Sequence, residues 1–266
     1  MKKIFYLFFV LLFYSYSRIV YSQELFIIES EYLPANDTIK VFVPTNYDMI
    51  GESLPLVFML HGWDGNYNQW SEITDLQKYS DKYNFILVCP DGLIDSWYID
   101  SPVDNKFQFE KFFIYELFPE VLKKYKVDKT NVFITGLSMG GFGAISFFIK
   151  YNNLFKAAAS TSGILDIVPF KGKWGMDDKF DSLENYNKYS PLNNINSVND
   201  TTKKIFIDCG IDDFAYNVNK MFYEECKRNH LDAVFISKKG NHSRAYWKES
   251  IDMHMYFFSR EVLKSK

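Results

Sequence analysis

Cysteine is scarce in this sequence: Cys89, Cys209 and Cys226 are the only three in 266 residues. An odd number excludes a fully paired disulfide framework. Cys89 and Cys209 close apolar, strand-like runs (FILVC and KIFIDC), where a small buried thiol fits. Nothing near them suggests the low-pKa setting that a nucleophilic cysteine needs. Basic charge is not in excess either. Thirty Lys and Arg stand against 33 Asp and Glu, interspersed, and this leaves no footprint for a nucleic-acid partner. No Cys/His cluster has metal-ligand spacing, so no metal or other cofactor is expected. No repeat, low-complexity tract or Pro/Gly-rich linker divides the chain, which implies one domain.

Long apolar runs are also missing, with one exception at the N-terminus. Lys2 and Lys3 precede an unbroken apolar run of eleven residues, Ile4 to Tyr14, which Ser15, Ser17 and Arg18 then interrupt. Eleven residues fall short of the about twenty that cross a bilayer. Val20 and Ser22 suit the −3 and −1 positions of a cleavage site. Residues 1–22 are therefore expected to be a signal peptide, and 23–266 one mature, secreted or periplasmic domain with no membrane partner after cleavage.

What the chain does have is apolar material. Hydrophobic residues make up 47% and aromatics 19%, enough to bury a large core. Short β-branched and aromatic runs alternate with longer segments of helical period. ELFIIES and TIKVFVP read as a pair of strands. PLVFMLHG is continuously apolar, as in a strand buried on both faces. FILVCP, NVFITGL, KAAASTSG, KIFIDCG and DAVFIS follow. Phe109 to Tyr125 carries Phe112, Phe113, Leu117, Val121 and Leu122 on one helical stripe, and Met221 to His230 and Tyr246 to Leu263 read as further helices. This alternation implies an α/β fold: a mostly parallel sheet covered by helices on both faces. Residues 169–203 break the rhythm with a polar, weakly periodic stretch, either a lid or binding insertion or a solvated excursion.

Ligands of such sheets bind beyond the carboxyl ends of the strands. Gly136-Leu137-Ser138-Met139-Gly140 falls at one such end, between strand NVFIT and a helical segment. The G-x-S-x-G pattern there would hold the Ser138 hydroxyl above the sheet on a sharp turn. Gly136 and Gly140 would let the backbone pass, and Gly141 and Gly143 would let the helix pack closely on the sheet. A tight-turn serine without chemistry is the competing reading. A nucleophilic serine needs a base. His242 lies in the loop after DAVFIS, whereas His230 and His254 fall in helical stretches, facing solvent or making local hydrogen bonds. An acid must orient the imidazole. Asp208 is inside a strand; Asp212 and Asp213 lie in the loop past Gly210. An oxyanion would take two backbone donors: the amide of Met139 and, from the His61-Gly62-Trp63 loop, that of Trp63. His61 reads as an organiser of that loop, not as a base.

The segments LHGWDGNYNQW, PDG followed by SWY, GLSMGGFGA, TSGILD, CGIDDF and GNHSRAYW occur here in order. In this set the chain resembles the esterase D-like α/β-hydrolases. These include S-formylglutathione hydrolases, feruloyl and acetylxylan esterases, short-chain (tributyrin-type) esterases and mycolyltransferases. The resemblance runs from about Leu54 to the C-terminus and implies an α/β-hydrolase fold. It implies Asp213, not Asp212, as the acid, His242 as the base and Trp63 as the donor after His-Gly. Arg244 departs from the family's usual aromatic, and Trp63 from its usual aliphatic residue. The implied activity is that of a serine carboxylesterase acting on small-molecule or polysaccharide-linked esters. Trp97 and Trp247 would lie near the substrate, where an indole can stack on a sugar or hydroxycinnamoyl ring; core packing is the plainer role for each. Acyl transfer to a sugar hydroxyl, or carbohydrate binding without catalysis, would use the same scaffold.

Overall fold

The computed structural model describes residues 22–200 and 202–263. The expected signal peptide lies outside the described residues but for Ser22. The apolar runs pair into one sheet of eight strands: β1 (Gln23–Ile28), β2 (Asp37–Phe42), β3 (Leu54–Leu60), β4 (Ile86–Pro90), β5 (Val127–Leu137), β6 (Ala157–Thr161), β7 (Lys204–Gly210) and β8 (Asp232–Lys238). Their order across the sheet is β1-β2-β4-β3-β5-β6-β7-β8. β1 and β2 form the expected hairpin, and β2 meets β4 antiparallel; every other pairing is parallel.

Alternate residues of the central strands feed two separate cores, as the two-residue period of a strand requires. Phe58, Val88 and Ile134 face one side; Val57, Leu87 and Phe133 face the other. Helices cover both. α1 (Gln69–Ile73) and α2 (Leu76–Tyr83) join β3 to β4. Between β4 and β5 the expected single helix is instead α3 (Phe109–Lys111), a π-helical stretch Phe112–Leu117, and α4 (Phe118–Lys124). The wider π-turn still buries Phe112, Phe113, Leu117 and Val121, with Leu122 partly buried against the same core. α5 (Met139–Lys150) follows β5, and α6 (Asp177–Phe180), α7 (Leu183–Tyr189) and α8 (Pro191–Asn194) lie between β6 and β7. α9 (Tyr216–Arg228) starts five residues earlier than its periodicity suggests. α10 (Arg244–Leu263) ends the described chain and packs beneath β5, β6 and β7.

The polar stretch 169–203 is not a solvated excursion. It sends Phe170, Met176, Phe180, Tyr186 and Ile195 into the larger core. Among the described residues, no helix is long and apolar enough to cross a membrane. The three cysteines are buried and unpaired.

Candidate active site

Strand β5 stops at Leu137 and α5 starts at Met139, so Ser138 alone makes the corner. Its backbone sits at φ 54°, ψ −116°, a region that a residue with a side chain rarely occupies. Two glycines make the corner passable. A Cβ on Gly136 would lie 2.1 Å from the Gly140 carbonyl oxygen, and one on Gly140 would lie 2.2 Å from that of Leu60. Gly141 approaches Ser160 and Gly163 beside β6, as expected. Gly143 does not: its missing Cβ makes room for the Tyr98 ring, 2.5 Å away, so the close approach there is to a side chain and not to the sheet. The Ser138 amide donates to the Thr161 carbonyl at 3.1 Å, which ties the corner to β6. Met139 opens a twelve-residue helix, and its N–H belongs to the first turn, where no intrahelical acceptor exists.

His242 and Asp213 come to this corner from the ends of β8 and β7. His242 Nε2 lies 2.9 Å from Ser138 Oγ, and Nδ1 lies 3.0 Å from both carboxylate oxygens of Asp213. With the proton on Nδ1, the imidazole donates to Asp213 and accepts from the Ser138 hydroxyl. The Asp213 side chain is fully buried. Burial pushes its carboxyl up, but hydrogen bonding and charge from His242 and the Ala215 amide outweigh that and hold it below the usual carboxylate value. Asp212 is exposed, and the carboxylate that meets the imidazole is that of Asp213. Aromatic rings grip His242: Phe214 lies against its face, ring centres 4.3 Å apart, and Trp247 meets it edge-on at 5.1 Å.

The loop after β3 is held from several sides. Gly62 donates its amide to Gln69 Oε1 at 2.7 Å, so that N–H is engaged and the next free amide along the loop is that of Trp63. His61 Nδ1 donates to the Gly62 carbonyl at 2.7 Å, and the Tyr98 hydroxyl donates to the His61 carbonyl at 2.9 Å. Burial pushes the His61 imidazole down to about 4, which keeps it neutral. It braces the loop, as its place in the sequence suggests.

Ser138 and His242 open into a cleft of about 160 Å³ with strongly aromatic walls. Trp63, Trp97 and Trp247 all line it, but Trp97 is 1% exposed and packs edge-on to Phe142, so it is mostly core. Three lining residues escape a reading of the motifs. Gln69 comes from α1. Phe214 directly follows Asp213, and that position is the signal by which it could be found. Trp174 comes from the 169–203 stretch, where weak periodicity hid it; its ring stacks on Phe214 at 5.5 Å. Arg244 points away to an exposed pair with Glu72.

A largely parallel sheet with a serine on a strained turn after β5, and partners after β7 and β8, is the arrangement of the α/β-hydrolases. The family model for Esterase matches residues 30–257, and the chain belongs to this family, among its esterase D-like members. An acetyl esterase of Caldicellulosiruptor saccharolyticus is 28% identical over 254 residues, covering 84% of this chain and 92% of that protein. The solved structure of a ferulic acid esterase superposes with a TM-score of 0.76 at 25% identity, covering 90% of this chain and 97% of the other. An S-formylglutathione hydrolase from Agrobacterium tumefaciens shares the fold, with a TM-score of 0.78 at 20% identity over 90% of this chain and 94% of its own. The protein is a carboxylic ester hydrolase.

Proposed function

We propose that this is an exported serine esterase that removes short acyl groups, such as acetyl, from small or polysaccharide-linked esters by way of an acyl-enzyme. The observation that carries this reading is the unbroken hydrogen-bonded order Ser138–His242–Asp213 at the mouth of a cleft. Ser138 Oγ attacks the ester carbonyl while His242 Nε2 takes its proton. Asp213 stabilises the imidazolium. The amides of Met139 and Trp63 receive the oxyanion. Collapse expels the alcohol, which takes the proton back from His242. Water, deprotonated by the same imidazole, then attacks the acyl-serine and releases the acid.

The cleft volume supports a small acyl group. Pockets that enclose drug-sized ligands run to roughly 300–1,000 Å³, well above this one. The full-length likeness to an acetyl esterase points the same way. Export rests on the charged and apolar N-terminus. The test is a panel of acetyl, butyryl and feruloyl esters with wild type and Ser138→Ala. Turnover should fall in that order with wild type and vanish with the variant. Equal turnover of p-nitrophenyl acetate by the variant would refute the assignment.

A further inference from the structure

Below the cleft, on the sheet face covered by α10, lies a second set of polar groups that the proposed chemistry does not use. His254 and Asp208 are wholly buried, with His254 Nε2 2.6 Å from Asp208 Oδ2. The other imidazole nitrogen lies 2.7 Å from Thr135 Oγ1. The remaining Asp208 oxygen accepts from Thr161 Oγ1 at 2.9 Å and from Ser250 Oγ. The sequence suggested a solvent-facing or locally bonded His254; its partners are instead 46 and 119 residues away.

We infer that Thr135, Thr161, Asp208, Ser250 and His254 form a positioning hub that sets the mutual placement of Ser138, Asp213 and His242. This rests on the reading of Ser138 as the nucleophile. Every member sits on an element that delivers or holds a site residue. Thr135 is three residues before Ser138 on β5. Asp208 is five before Asp213 on β7. Ser250 and His254 are on α10, which starts two residues after His242. Thr161, on β6, binds Asp208 through its hydroxyl and the Ser138 amide through its carbonyl. The Asp208 carbonyl also accepts the amide of Ser162, 2.9 Å away. Two strands and one helix thus meet at one carboxylate, and a third strand joins them through His254.

The polar hub contributes specificity of arrangement rather than stability. Well-packed apolar side chains often replace a buried polar cluster with little loss of stability, because taking polar groups out of water offsets most of their attraction. The same sheet face is apolar at Val57, Met59 and Phe133. A satisfied polar network differs from an apolar patch in admitting a single arrangement of its members. Nucleophile, base and acid gain from that, since misplacement by about 1 Å costs on the order of a hundredfold in rate. The hub touches none of the reacting atoms. It acts through the backbone of β5, β6, β7 and α10.

The test uses Asp208→Asn, which keeps the shape and replaces a carboxyl oxygen with an amide NH2, and Thr135→Val, which removes one hydroxyl and leaves the Asp208–His254 hydrogen bond in place. Each is assayed with p-nitrophenyl acetate well below its melting temperature, and Ser138 is labelled with a fluorophosphonate. For Asp208→Asn, kcat should fall about ten- to a hundredfold with KM within about twofold. For Thr135→Val, the fall should be about three- to tenfold, with labelling slowed in parallel. Folded variants with kcat and labelling within twofold of wild type, their only defect a lower melting temperature, would overturn the inference. Should Asp208→Asn not fold, Thr135→Val decides by the same criterion. Ser138→Ala separates the two readings: full activity there sinks the nucleophile assignment and the hub with it, whereas an inactive Ser138→Ala beside normal hub variants sinks the hub alone.

Discussion

Two chains of hydroxyl, imidazole and carboxylate run through this molecule, and their hydroxyls are three residues apart, one on β5 and one just past its end. The outer one is Ser138, His242 and Asp213; the inner one is Thr135, His254 and Asp208. Their hydrogen bonds are of similar length. Their surroundings are not. Ser138 stands past the strand end at positive φ, beside the opening turn of α5 and a cleft. Thr135 is mid-strand and inaccessible, with neither cleft nor helix terminus. The contrast teaches that the three functional groups do not make a nucleophile. What sets the proposed nucleophile Ser138 apart from Thr135 is access, a corner that exposes the oxygen, and donors placed for a developing anion.

The largest expected effect separates the two hydroxyls. Ser138→Ala should cut kcat by about 10³-fold or more, and Asp213→Asn by about 10³–10⁴-fold, measured on p-nitrophenyl acetate. A drop of that size in Thr135→Val would erase the distinction. Stability should divide the two imidazoles the other way. His254→Phe leaves the buried Asp208 Oδ2 without its hydrogen-bond partner and should cost about 3 kcal/mol in urea unfolding. His242→Ala admits cleft water to Asp213 and should cost less, about 1 kcal/mol. A reversed order would break the comparison.

A third imidazole sharpens it. The folded state holds His61 at about 4 against an ordinary value of 6.5. Between those values the unfolded chain binds more protons, so stability is full above pH 6.5 and falls as pH drops towards 4. This contributes a loss of about 2 kcal/mol between pH 7.5 and 5. His61→Gln should flatten that slope in urea melts at the two pH values. Asp213 acts in the same direction, since its depressed value gives stability that is lost as pH falls. The smallest effect belongs to Arg244→Ala. Its exposed pair with Glu72 should be worth no more than about 0.5 kcal/mol, read from the same melts.

The outer chain was legible in the sequence because each member directly follows a strand of strong apolar character. Strand ends are where such sheets bind, and glycines mark the corner. The inner chain was legible in principle. His254 falls on the buried stripe of α10 with Trp247, Ile251 and Phe258, and Asp208 interrupts an otherwise apolar strand. A polar residue on an apolar stripe signals a distant partner, but helical spacing does not say which strand supplies it. Trp174 was not legible. It follows Lys173 and precedes Gly175 in a stretch of turns, held at φ 52°, and only tertiary packing against Phe214 and Trp97 brings it to the cleft. The π-turn at Phe112–Leu117 was hidden for a related reason, since the apolar stripe reads the same for either helix.

The placement of α10 bears on when the site is completed during folding. Ser138 and His242 are separated by 104 residues, and the helix that anchors the His242 loop spans the last twenty described residues, beneath strands laid down long before. A chain that has folded β5 and its corner but has not yet docked α10 therefore carries Ser138 without His242 beside it. Contacts so distant along the chain close late in folding. Reactivity of Ser138 towards a fluorophosphonate becomes a clock for completion: it reports that the final helix has docked, an event that a measure of secondary structure alone would miss.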